Sequence, residues 1–464
     1  MIDVATRRDQ TVAVFGLGGS GIAAACALAA SGATVRAWDD SAASRDRAAR
    51  KGVPLADLYA ADWSKTTALV LAPGIPLTHR PHRVVALARA AGCPIVGDIE
   101  LLVEACPDNA FIGVTGTNGK SSTTALIGHV LGQAGRDVRV GGNLGPPALG
   151  FAPPGRDSVF VLELSSYQLD LTERASFDIA VLVNVSPDHL DRHGGMSGYV
   201  AAKKRIFRDR TRGEGGQTAV IGVDDAHGET IADAMRVRPG WTVIPVSATR
   251  MLANGVYVSD GALYDSIDGA GRRVCTLDGI ATLPGTHNRQ NAAAAYAAAR
   301  AVGVAPQAIA AALATYPGLP HRIETIATIG GVRYVNDSKA TNADATVRAL
   351  ACFDPVYWIA GGLAKDGGLA GVEPYLPRVR HAFLIGAAEE AFSRFLDGRV
   401  AVSRCGDLAT ALAEAHRMAQ DDRLPGAVVL LSPACASFDQ WVGFEARGDA
   451  FREMVRAVAR EAPA

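Results

Sequence analysis

At 464 residues the chain is longer than one ordinary core, and ~100–200 residues per domain implies about two to four domains. A hydrophobic content of 48% with 20% charged residues excludes a disordered chain, and a formal net charge of −1 speaks against the basic stripe of a nucleic-acid binder. The apolar run 23–30 ends at Ser31 and Gly32, short of the ~18–20 residues of a membrane span, and the N-terminus lacks the apolar core of a signal peptide. The seven cysteines (26, 93, 106, 275, 352, 405 and 435) are scattered, odd in number and without CxxC pairs. They read as small buried residues in a reducing compartment, so a cytoplasmic, multidomain α/β protein is expected.

The first element is an apolar strand at Thr11–Phe15, followed by GLGGSG (16–21), an alanine-rich helix to Ser31 and a second strand at Thr34–Trp38 that ends on Asp39 and Asp40. Strand, glycine turn, helix, strand is a βαβ unit, and Gly16, Gly18 and Gly21 fit GxGxxG. Such a loop lets a diphosphate approach the backbone at a helix N-terminus. A nicotinamide-dependent oxidoreductase, a nucleotide-diphosphate substrate and a turn used only for packing all remain open at this point. Strand-like segments at 68–71 and Ile95–Val96 continue the alternation, and 106–109 reads as a linker.

A second glycine loop follows. The buried strand 110–114, the loop 115–121 and a helix at 122–131 give a phosphate-binding loop its proper context. In GVTGTNGKSS (113–122), backbone N–H groups of 116–121 can cradle phosphates, Lys120 supplies charge, and the Ser121 hydroxyl can ligate Mg²⁺. Val114 stands where GxxxxGK[ST] needs its first glycine, and Gly113 comes one residue early. An oxidoreductase has no use for this loop. Further strands are expected at 158–164 and 179–185, and one long helix at 291–313. After the turn-rich 317–320, strands at 332–335, 356–359, 382–385 and 427–431 indicate a third α/β segment. The expected fold is α/β with three domains: an N-terminal Rossmann-like domain (1–107), a central P-loop ATPase-like domain (108–316) and a C-terminal Rossmann-like domain (317–464).

Together with this loop, ELSSYQL (163–169), NVSPDHLDRH (184–193), YVAAKKRIF (199–207), LPGTHNRQNAAAA (283–295), LPHRIE (319–324), NDSKATN (336–342), GGLAKDGG (361–368) and LSPACASFDQW (431–441) resemble the Mur ligase superfamily. The resemblance spans all three segments. NDSKATN with LSPACASFDQ is similar to the member that adds D-glutamate; the string marking diamino-acid-adding members is missing.

The resemblance implies an ATP-dependent ligase of peptidoglycan precursor synthesis, joining D-glutamate to UDP-N-acetylmuramoyl-L-alanine through an acyl phosphate. It implies catalytic roles for Lys120, Glu163, His189 and Lys203. ATP would be held by Gly116, Thr117, Asn118, Gly119, Lys120, Ser121, Asn291, Arg322, Asp337 and Lys339. The uridine-linked substrate would meet Gly18, Ser20, Asp39, Gly74, Asn143, Gln168 and His189, and D-glutamate would meet Arg322, Thr341, Lys365, Ser437 and Phe444. Two Mg²⁺ sites are implied, on Ser121, Glu163, His189 and a carbamylated Lys203. On residue type alone the Lys203–Arg205 cluster is a solvated helix face, and an ammonium beside a divalent cation would be repelled. The partners implied are these small molecules only, with a monomeric protein, no nucleic acid and no membrane. Another superfamily ligase and a non-catalytic nucleotide-binding regulator are the alternatives. The intact Lys120, Ser121, Glu163 and His189 disfavour the regulator.

Overall fold

The computed structural model describes residues 1–210, 215–365 and 367–461. The described chain packs into two compact units, one of residues 1–278 with 288–315 and the other of 279–287 with 316–464. Three sheets run through them.

The first sheet is parallel, in the order Thr34–Trp38, Thr11–Phe15, Thr66–Leu71, Ile95–Val96. Its connections leave in opposite directions from Thr11–Phe15 and Thr66–Leu71, so the crevice between their C-terminal ends is the topological switch point where open α/β sheets bind ligands. The glycine loop and Gly74 both lie there. The segment 106–109 packs tightly for a linker. Cys106 and Asn109 are buried, and the Asn109 amide donates to the carbonyls of Gly155, Arg156 and Ser158.

The second sheet has nine strands. From one edge these are Val138–Gly142, Val159–Glu163, Ala110–Thr115, Ile179–Leu182, Gln217–Gly222 and Trp241–Ser247, all parallel. Val256–Ser259 joins them in parallel, and Ala262–Asp265 and Arg272–Thr276 close the sheet antiparallel. Its switch point falls between Ala110–Thr115 and Ile179–Leu182. Strands buried on both faces read as continuous apolar runs, which is why 110–114 and 179–185 are legible in the sequence. The expected helix at 291–313 is two helices, Gly285–Ala301 and Pro306–Ala314. Gly303 at φ +84° and Pro306 at the start of the second helix break the alanine-rich run.

The third sheet orders Glu324–Ile329, Val332–Asn336, Val428–Leu431, Val356–Gly361, Val379–Ile385 and Val402–Gly406, with only the first strand antiparallel. Trp358 is fully buried at its centre, and its indole N–H donates to the Ser432 carbonyl at 2.8 Å. Trp358→Ala removes a large side chain from a packed layer and should destabilise this unit by ~3–5 kcal/mol. Urea denaturation is expected to show a lower midpoint for the transition of this unit, and an unchanged midpoint would contradict the packing described.

Candidate active site

The N-terminal loop is built around missing side chains. Gly16 has φ +92°, and a Cβ on Gly21 would overlap the Gly16 carbonyl oxygen, so only glycine lets the helix Gly19–Ala30 start this close to the strand. Gly18 and Gly74 face open space where their side chains would be, leaving room at the crevice. Ser20 lies in the first turn of the same helix. The Asp39 carboxylate accepts from the N–H of Leu17 at 2.6 Å and of Ser41 at 2.8 Å, so it fixes the loop from the end of the second strand.

The phosphate loop is held from below by the adjacent strand end. Thr117 N–H donates to the Asn184 carbonyl, and Asn118 N–H donates to the Asn184 side-chain oxygen, both at 2.9 Å. The Asn184 amide donates back to the Asn118 carbonyl. Thr117 Oγ1 lies 3.1 Å from the Tyr199 hydroxyl and donates to the Ser186 carbonyl. Gly119, at φ +80°, opens the helix Lys120–Gln133. A Cβ there would strike the side-chain oxygen of Asn291. That oxygen also accepts from Thr123 Oγ1, and the Asn291 amide donates to Asn288 Oδ1 at 3.1 Å. Asn288 and Asn291, three residues apart, thus share one face of the helix Gly285–Ala301.

Two lysines meet on this loop. Lys120 Nζ donates to the carbonyls of Gly116 at 3.0 Å and Thr117 at 2.8 Å. Lys203, in the helix Met196–Lys204, is 1% exposed, donates to the same Gly116 carbonyl at 2.7 Å and lies 4.5 Å from the Tyr199 ring centroid. Burial, with the neighbouring Lys120 charge, pushes the Lys203 amine well below the usual lysine range. Asp188 opposes that shift only in part.

Glu163 ends the strand Val159–Glu163 and is 2% exposed. Its carboxylate accepts from the Ser121 hydroxyl at 2.5 Å and from the Asn143 amide at 2.6 Å. A buried carboxylate bonded only to neutral donors suits a hard cation, and hydroxyl plus carboxylate is a donor set Mg²⁺ accepts alongside phosphate oxygens. Among the described residues, no group of three or more His, Cys, Asp or Glu could hold a metal unaided. Phosphates or water would have to complete the shell.

His189 sits at φ +52° at the start of the short helix Leu190–His193, with Nε2 3.4 Å from the Asp188 carboxylate and its ring 5.0 Å from Tyr167. Buried His193 bonds Ser166 and faces Asp170, and burial lowers its pKa. Gln168 is engaged locally. Its side-chain oxygen accepts from Ser165 N–H and Oγ, forming a capping box.

In the second unit three loops meet at the ends of the central strands. Asp337 N–H donates to the Leu431 carbonyl, Gly361 N–H to Pro433, and Leu363 pairs with Ala436. The buried Asp337 carboxylate accepts from Ser432 Oγ and Ile323 N–H, and burial pushes it up to about 7. Lys339 lies 3.7 Å from the Phe444 ring centroid, and its N–H donates to the His321 carbonyl. Ser437 is buried, whereas Lys365 is exposed and Thr341 half-buried. Arg322 N–H donates to the Leu319 carbonyl in the turn before the sheet. In the motif 361–368, Asp366 lies outside the described residues. Cys435 is fully buried and its thiol is pushed up to about 12, as befits packing.

Two residues beyond the sequence-derived set organise the site. Asn184 clamps the phosphate loop, and its signal was a polar residue ending an apolar strand. Arg447 is 1% exposed and donates to Ser338 Oγ, the Ser338 carbonyl and the Cys435 carbonyl, joining two of the three loops. An arginine on an amphipathic helix looks solvated in sequence, so nothing marked it.

Residues 114–299 match the Mur ligase middle domain. Proteins named UDP-N-acetylmuramoylalanine–D-glutamate ligase are similar along the whole chain. The one from Paramagnetospirillum magneticum is 51% identical over 98% of both chains, and that from Rhodospirillum rubrum is 52% identical over 97% of this chain and 95% of its own. Among solved structures, a pseudomurein peptide ligase type C from Methanothermus fervidus shares the fold with a TM-score of 0.57 at 18% identity, covering 97% of this chain and 100% of that one. The UDP-N-acetylmuramate–alanine ligase of Thermotoga maritima gives 0.57 at 15%, covering 97% and 99%. Identity of about one half, sustained from end to end, shows that the chain belongs to the Mur ligase family, among the UDP-N-acetylmuramoylalanine–D-glutamate ligases.

Proposed function

We propose that this chain is an ATP-dependent, ADP-forming ligase that joins D-glutamate to UDP-N-acetylmuramoyl-L-alanine in cytoplasmic peptidoglycan precursor synthesis, a step needed for cell-wall growth and division. The observation that carries the reading is the cluster of Lys120, Ser121, Glu163, Asn143 and Lys203 around one glycine loop, in a chain about half identical to ligases so named. The working domains are 1–107 for the uridine diphosphate end, 108–316 for ATP and 317–464 for the amino acid. The protein would act as a monomer on small molecules, away from nucleic acid and membrane.

A carboxylate does not react with an amine at neutral pH until it is activated. The γ-phosphoryl of ATP passes to the substrate carboxylate, the D-glutamate nitrogen attacks the acyl phosphate, and phosphate leaves. Positioning and charge do most of the work in such transfers. Backbone N–H groups of the loop other than those of Thr117 and Asn118, which Asn184 engages, cradle the phosphates; Lys120 moves from loop carbonyls to phosphate oxygens, and Asn291 with Asn288 borders the nucleotide. Arg322, Asp337 and Lys339 complete the ATP site. Thr341, Lys365, Ser437 and Phe444 form the dicarboxylate pocket with Arg322. Gly18, Ser20, Asp39, Gly74, Asn143, Gln168 and His189 face the uridine-linked substrate. Ser121 and Glu163 would hold one Mg²⁺, with His189 and a modified Lys203 supporting a second. Bound Mg²⁺ would supply charge to the phosphoryl oxygens.

Lys203 suits that modification because burial favours its neutral amine, the form that attacks CO₂. The N–C bond forms as a C=O π pair moves to oxygen, and the nitrogen loses a proton. The product is an anion where an ammonium would repel metal. Lys203→Ala should lose activity by about 10²-fold or more, and millimolar short carboxylates should restore part of it. Full activity without additive would exclude the carbamate.

Glu163→Gln keeps an oxygen for Ser121 but removes the charge. The expected result is a 10- to 100-fold fall in activity, roughly, with a raised Mg²⁺ requirement in a metal titration. Unchanged metal dependence would remove Glu163 from the metal site. The substrate assignment is checked by phosphate release from ATP with UDP-N-acetylmuramoyl-L-alanine and a panel of amino acids. Stimulation by D-glutamate alone is expected; stimulation by L-lysine or diaminopimelate would make this a different ligase, and none at all a regulator.

A further inference from the structure

The face of the lysine helix turned away from the phosphate loop borders a second charged site. A cavity of about 450 Å³ is lined by Arg174, Lys204, Arg205, Arg208 and Arg238. Its volume falls within the range of small-molecule pockets. Two carboxylates share the lining, Glu173 and Asp209. Asp209 is already committed. It accepts from the Trp241 indole N–H at 2.9 Å and pairs with Arg238 at 2.7 Å, and these contacts hold its carboxyl below the usual range.

The remaining cations are left uncompensated. Arg205 donates to a backbone carbonyl, that of Asp170, and the buried Nε of Arg208 makes no hydrogen bond. Among the described residues, no ion pair to a carboxylate engages Arg174, Lys204, Arg205 or Arg208. Like charges gathered at one concavity repel, so the fold stands to gain from an anion placed between them. In a chain of net charge −1 this concentration is not a general surplus of positive residues. Ala201 is the exposed apolar part of the lining, whereas Phe207 is 2% exposed and its backbone carbonyl accepts from Arg238.

We propose that this cavity is a binding site for a phosphate group, held by Lys204, Arg208 and Arg174. None of these residues belongs to the proposed catalytic set, so the site is separate from the nucleotide loops and does not depend on the ligase reading.

Isothermal titration calorimetry on the full chain tests it, with UDP and a non-hydrolysable ATP analogue present at saturation so that both glycine loops are filled. Inorganic phosphate and phenyl phosphate are each expected to bind one additional site with a Kd of about 1 mM or tighter. The double variant Lys204→Gln with Arg208→Gln should weaken phenyl phosphate binding by ~10-fold or more, and Arg174→Gln, on an exposed side chain, should weaken it also if the double variant fails to fold. Raising the salt concentration should loosen binding. No heat beyond the filled nucleotide sites, or unchanged affinity in the variants, would overturn the site.

Discussion

Two lysine side chains share one carbonyl oxygen, that of Gly116, and the rest of the proposed catalytic centre follows from that crowding. Two charged lysines this close in a buried setting repel strongly, and the cost falls most on the more buried one. Burial first, and the Lys120 charge second, lean Lys203 toward the neutral amine, while Lys120 is only half-buried. The loop tolerates the arrangement because Asn184 and Thr117 anchor its backbone independently of either lysine. The proposed nucleotide, with its phosphate charge, would relieve the same crowding.

The three sheets put their chemistry at equivalent places. In each, some of the residues singled out follow directly on the C-terminal end of a strand paired in parallel: Asp39 after Thr34–Trp38, Asn143 after Val138–Gly142 and Asp337 after Val332–Asn336. Arg447 and Asn184 have parallel duties in different units. Each uses several hydrogen bonds to tie loops that would otherwise be free to drift apart. Preorganisation of this kind lets phosphate and carboxylate charges be met by fixed dipoles, without reorganising the protein during the reaction.

Much of this was legible in the sequence where a buried parallel strand runs into glycine. Thr11–Phe15, Thr34–Trp38 and the strand before the phosphate loop announce themselves as apolar runs closed by turn residues. The three short strands at 256–276 were not, because their brief patterns carry little periodicity. The helix break after Ala301 was missed because alanine continues through it and only Gly303 and Pro306 mark the change. Among site residues, Ser121 and Asn143 both bond the Glu163 carboxylate, a meeting that no single motif displays. Gln168 also closes a capping box, a role its string alone could not reveal. Lys203 looked like part of a solvated basic face; its burial is a tertiary fact set by the packing of its helix under the loop.

The contact between Gly119 and Asn291 has an evolutionary consequence. The amide oxygen of Asn291 occupies the space that any side chain at 119 would need, although the two positions lie far apart in sequence. Neither can drift alone. A larger residue at 119 requires a smaller one at 291, which would strip Thr123 and Asn288 of their partner. The two sites should therefore behave as a single inherited character across descendants of this chain, changing together or not at all.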